Sequence, residues 1–176
     1  MATITGFKRK FDEFIKSMPD ILANEVERSQ DVILGLNEDQ ILYGRDAFGN
    51  LLKPGYTDDP YFNKFKNPGK AAERYKKYKE KLKHIHRERI YNIGVQLFPD
   101  KPEDTPNLLI NGNWFMNFLF INVSESSYTL GSNGRVASDI EAKYEKVFGL
   151  APASKVYYWN GFIRPAIIRG YESIMS

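Results

Sequence analysis

The chain has 176 residues, is 42% hydrophobic and 14% aromatic, and carries a formal net charge of +3; this suits one buried core and excludes the composition of a disordered chain. With Cys 0, it has no disulfide framework, thiolate nucleophile or Cys-ligated zinc or iron–sulfur site. No apolar run approaches the roughly 20 residues of a membrane-spanning helix, and the opening MATITGFKRKFDEF lacks a leader-like apolar segment, so a soluble, cytosolic protein with no membrane partner is expected.

The N-terminal part, residues 3–43, reads as helical. Thr3 is placed to cap a helix on which Ile4, Phe7, Phe11, Phe14, Ile15 and Met18 recur at three- and four-residue spacing between charged residues. Ser17-Met18-Pro19 reads as a restart, since proline suits a first helical turn but not an interior. A second helix then carries Ile21, Leu22, Val26, Ile33 and Leu36. Asn37 with Gln40 resembles a capping box for a further short turn. These apolar residues are expected in the core or at a subunit interface.

From Gly44 to Tyr61 the residues are turn formers, with a small hairpin expected about Gly49-Asn50, where Gly49 takes positive φ. Asp46, Asp58 and Asp59 do not have the alternate-position spacing of a calcium loop and read as turn residues, so no metal is assigned. A basic helical insert follows, about residues 64–92. Between Lys64 and Arg89 lie 11 cationic residues against 3 acidic ones, a local excess of +8 that leaves −5 for the rest of the chain. Tyr75, Tyr78, Leu82 and Ile85 are expected to dock this helix, turning Lys76, Lys77, Lys79, Lys81, Lys83 and Arg87 outward as candidate contacts to DNA phosphates or an acidic partner. No sequence-reading nucleic-acid motif accompanies them, so any DNA contact would be non-specific. His84 and His86, two apart on a helix, point to different faces and do not form a metal pair.

A Pro-rich connector, FPDKPEDTP, leads to a hairpin–helix unit over 107–150, the densest apolar pattern in the chain. It predicts an antiparallel hairpin about 117–131, then a helix capped at Ser138-Asp139 with Ile140, Tyr144, Val147 and Phe148 on one face, ending at Gly149. C-terminal helices over 151–175 are expected on either side of a break at Asn160-Gly161, the last opening near Pro165. The fold class read from this pattern is α+β, a small antiparallel sheet packed by several helices in a single domain, 1–176. No phosphate-binding Gly loop, nucleophile elbow or metalloprotease motif is present, and no catalytic or cofactor-binding residue is assigned.

Taken together, the ILYGRDAFGNLLKPGYT stretch, the cationic insert, LLINGNWFMNF, the hairpin and KYEKVFGL followed by IRPAI resemble tailed-bacteriophage tail-completion and head-to-tail connector proteins. The family's Gly, small apolar, Pro, Ser/Thr pattern is met by Gly49, Leu52, Pro54 and Thr57. Its Leu and Thr-Gly ahead of the hairpin are met by Leu109 and Gly112, with Asn111 in place of Thr, and its closing aromatic-Gly by Val147-Phe148-Gly149. The resemblance covers roughly residues 30 to 170. It implies a non-enzymatic virion protein of the neck or upper tail, present in the host cytoplasm during assembly. Its partners would be identical subunits in a ring, neighbouring portal, connector or tail proteins, and DNA in the lumen. Two other readings stay open: a non-specific nucleic-acid-binding protein using the basic helix, and a small enzyme assembled from Asp46, His84 and Asp139.

Overall fold

The computed structural model describes residues 4–85, 93–109, 114–123 and 127–176, the side chains of 83–85 and 121–123 excepted. Its helices are α1 (Ile4–Arg28), α2 (Gln30–Leu42), α3 (Pro68–Ile85), α4 (Ala137–Lys143), α5 (Pro152–Tyr158) and α6 (Arg164–Met175), and its strands are β1 (Phe118–Val123) and β2 (Tyr128–Ser132). Short 3-10 turns cover Pro60–Lys64 and Phe115–Asn117, and a π-helical turn, Trp159–Ile163, joins α5 to α6. The architecture is the expected α+β one, with a two-stranded antiparallel sheet among helices.

The proline at position 19 does not restart a helix. α1 runs through it without interruption, and the helix-to-helix break falls instead at Ser29 (φ −112°, ψ 25°). There the Ser29 hydroxyl shares a 2.7 Å hydrogen bond with the Tyr158 hydroxyl, which ties the joint to α5. α1 and α6 pack antiparallel. Lys10 Nζ donates to the Met175 carbonyl at 3.1 Å, the Phe14 and Tyr171 rings meet edge-on at 5.4 Å, and buried Glu25 takes Arg28 (2.7 and 2.8 Å) and Arg169 (3.0 Å) on its two carboxylate oxygens.

α2 is the buried hub. Ile33 and Leu36 point into one apolar cluster with Leu130, Leu150, Tyr158 and Ile163, while Ile41 joins a second cluster around Leu109, Trp114, Phe115 and Phe118. The expected capping box at Asn37 and Gln40 is absent because both side chains serve a different bond set. Asn37 Nδ2 donates to the carbonyls of Val147 (3.0 Å) and Gly149 (3.1 Å). Gln40 Nε2 donates to the Gly149 carbonyl (2.6 Å), and its Oε1 accepts from the Ala151 amide (2.8 Å). Two polar residues of one helix thereby satisfy the backbone of a buried loop, where unpaired groups would be costly.

The hairpin lies where the sequence placed it. Phe118 pairs with Ser132 and Phe120 with Leu130, after which one extra residue on β1, Ile121, shifts the register to Asn122 with Thr129. Phe118 and Phe120 share a face and reach the two clusters in turn. α4 begins at Ala137, ahead of the expected Ser138-Asp139 cap, and stops at Lys143. Tyr144, Val147 and Phe148 therefore enter the core from a loop, in which Lys146 (φ 63°) and Gly149 (φ 116°) adopt left-handed backbone. Asn160-Gly161 likewise lies inside the π-helical turn and interrupts nothing; α5, the turn and α6 form one rod. Among the described residues no helix is long and apolar enough to cross a membrane.

Candidate functional site

α3 carries the charge that singled it out, and its orientation follows from its spacing. Asn67 caps it, its side-chain oxygen accepting from the Lys70 amide at 3.1 Å. Ala72, Tyr75, Lys79 and Leu82, at helical spacing, are turned inward, and Tyr78 is half exposed. The docking stripe is thus displaced from the expected one, and Lys79, expected outside, is 4% exposed.

The six expected contact residues do not form one outward set. Lys77 and Lys81 are exposed. Lys76 is partly covered and holds Glu73 at 3.0 Å, whose carboxylate raises its pKa. Lys79 is buried; the side chain of Lys83 and all of Arg87 lie outside the described residues. The exposed cationic stripe consists instead of Lys70, Arg74, Lys77 and Lys81, spaced four, three and four residues apart.

Beneath the inward face of α3 is a cavity of about 350 Å³. Tyr75 and Lys79 of α3 line it, and its other walls come from three further parts of the chain. The loop after α2 contributes Tyr56, Asp59, Tyr61 and Phe62; α4 and the following residue contribute Asp139, Ile140, Lys143 and Tyr144; Pro106 and Leu108 complete it. The aromatic walls brace one another, with Tyr75 against Tyr56 at 5.5 Å and against Phe62 at 5.6 Å. Leu108 holds a left-handed backbone (φ 54°) that a non-glycine residue adopts only under constraint. Asp59 does two jobs: Oδ1 accepts from the Tyr61 amide at 2.9 Å, and Oδ2 is paired with Lys143, joining the loop to α4.

Lys79 has no hydrogen-bond or ion-pair partner among the described residues. Burial, with the nearby charge of Lys101 as a smaller contribution, brings its amine down to about 7. Burial pushes the Tyr56 and Tyr144 hydroxyls up. The Tyr56 hydroxyl, beside the Asn107 main chain, makes no hydrogen bond of good geometry among the described residues.

Asp46 is a turn residue, its Oδ1 accepting from the amides of Phe48 (2.9 Å) and Asn50 (2.8 Å) around Gly49 (φ 84°). It does not line the cavity that Asp139 lines, and the His84 side chain lies outside the described residues. No group of His, Asp and Glu fit to hold a metal occurs among the described residues.

A second surface stands out on α1. Ile4, Phe7, Phe11 and Ile15 are 91, 54, 42 and 51% exposed, although they form the apolar side of an amphipathic helix. Phe7 and Phe11 stack at 6.2 Å, Phe11 meets Phe14 at 6.4 Å, and Phe14 meets Tyr171, so the strip continues onto α6 at Tyr171 and Ile168. The spacing of α1 was legible in the sequence; that nothing among the described residues covers this side was not.

Comparison with protein-family models, with curated proteins and with solved structures finds no match to this chain.

Proposed function

We propose that this chain is a structural virion protein of a tailed phage, without catalysis, that assembles through the α1 and α6 strip into a ring of identical subunits at the neck or upper tail. The observation that carries the reading is the strip itself. A folded chain that leaves Ile4, Phe7, Phe11, Ile15, Ile168 and Tyr171 in water exposes the kind of contiguous apolar surface that marks an interface. Lys8, Arg9, Asp12, Glu13 and Lys16 flank it as a polar rim.

A ring needs two different patches on each subunit, since a head-to-tail contact joins unlike surfaces. A second exposed patch is present. Val156 and Trp159, 61 and 50% exposed, lie toward the opposite end of the rod that carries Tyr171, roughly 18 Å away by helical rise. The location in the virion rests on the resemblance of the turn-rich stretch and the LLINGNWFMNF segment to connector proteins, and neighbouring portal, connector or tail proteins are the partners it implies. The test is native mass by light scattering. The wild-type chain is expected as a discrete cyclic oligomer and Phe7→Ser/Phe11→Ser as a monomer; a wild-type monomer at all concentrations would count against the ring.

The Lys70, Arg74, Lys77 and Lys81 stripe favours a second reading, in which the basic helix binds nucleic acid without sequence preference, alone or from the ring lumen. Four phosphate contacts predict a log–log salt slope of about −3.6 on duplex DNA. Charge reversal at Lys77 and Lys81 should reduce that slope by about half; an unchanged slope removes this stripe from DNA contact.

A further inference from the structure

We propose that the aromatic-walled cavity under α3 is a binding site for a small apolar molecule bearing a single carboxylate, which pairs with Lys79. Four observations converge on this. The cavity, about 350 Å³, falls at the lower end of the range of small-molecule sites. Its walls are mostly aromatic and aliphatic, and the Tyr75 ring is already fixed edge-on against Tyr56, which suits a flat or short apolar body. Two hydrogen-bond donors line the space without an acceptor among the described residues, the Lys79 amine and the Tyr56 hydroxyl. Its other cation, Lys143, is already taken by Asp59.

An amine held 4% exposed with no ion-pair partner among the described residues is costly unless something completes it. A carboxylate accepts from both donors and supplies that charge. A polyphosphate does not fit, because among the described residues one unpaired cation lines the cavity and Asp59 and Asp139 lie in the same walls. A cation would meet Lys79 and Lys143. The lowered amine, about 7, supports the same assignment in a measurable way: above neutral pH, binding of the anion draws a proton onto Lys79, so affinity weakens as pH rises. The groups facing Lys79 in this balance are Asp59, Tyr56 and Tyr61 from the loop, Tyr75 on its own helix, Asp139, Lys143 and Tyr144 beyond, and Lys101.

The experiment is a calorimetric titration of the full chain at pH 8 with three probes built on one ring system: 2-naphthoate, 2-naphthylmethanol and 2-naphthylmethylammonium. The expected result is that 2-naphthoate binds at least about tenfold more tightly than the other two, with uptake of close to one proton read from buffers of different ionisation enthalpy. Lys79→Met should remove the preference for the carboxylate and the proton uptake while retaining the alcohol. Equal binding of the three, tighter binding of the ammonium, no binding of any of them, or a carboxylate preference that survives Lys79→Met would overturn the proposal. The wild-type comparison stands whether or not the variant folds.

Discussion

Lys79 contrasts with Gln40, the other polar side chain on which the interior turns. Gln40 completes every backbone group it touches; Lys79 completes none among the described residues. The amine value of about 7 lies below the ordinary 10.5. Between those values the unfolded chain holds a proton that the folded chain lacks, so stability rises with pH there, and the burial cost is fully present below pH 7. Above about pH 10 the raised Tyr56 and Tyr144 hydroxyls reverse the sign, because the unfolded chain then loses its protons first. Wild-type protein is therefore expected to gain stability from about pH 7 to 9.5 in urea denaturation. Lys79→Met should flatten that rise and be more stable at pH 7 by about 1 to 3 kcal/mol. Gln40→Ala runs the other way. It strands the Ala151 amide in the interior and leaves the Gly149 carbonyl to Asn37 alone, and should cost about 1 to 3 kcal/mol in the same measurement, at unchanged denaturant slope.

Among the elements, the hairpin was legible because its signals are local: an apolar run, a polar turn and a returning strand, with Phe118 and Phe120 on one face. α2 was not. Asn37, Glu38, Asp39 and Gln40 form an unbroken polar run that reads as surface, yet all four are buried, and the backbone that Asn37 and Gln40 satisfy lies more than a hundred residues away in the chain. Tertiary hydrogen bonding decided the matter, and no local window contains it. The inward face of α3 had a readable signal. Ala72, Tyr75, Lys79 and Leu82 keep the same three-, four- and three-residue spacing as the expected stripe Tyr75, Tyr78, Leu82 and Ile85, but a lysine in it made it look like surface. Proline at position 19 was misread because its penalty is a matter of energy, which packing against α6 offsets. It follows that Pro19→Ala should stabilise the chain by about 1 to 3 kcal/mol, raising Tm by several degrees; an unchanged or lower Tm would mean that α1 needs the proline.

At the scale of the whole molecule, two surfaces that the sequence joined in one account separate. The basic helix is a thinner cationic face than its composition promised, since one lysine turns inward and another is engaged by Glu73. The apolar strip on α1 and α6 is broader than one subunit's core needs, and it is the feature on which the proposed ring depends. The cavity was invisible in the sequence, because Tyr56, Lys79, Leu108 and Tyr144 meet only through the packing of α3 and α4 across the connector. Buried aromatics and exposed ones look alike in a sequence, so composition alone did not divide core from interface. Light scattering of the wild-type chain beside Phe7→Ser/Phe11→Ser, at low and high salt, bears most directly on assembly through the α1 strip. The account predicts a discrete wild-type oligomer that persists at high salt, as apolar contacts do, and a folded monomeric variant whose Tm, unlike the wild type's, does not rise with protein concentration. A wild-type oligomer that the two serines leave intact, or one that dissolves in salt, would contradict it.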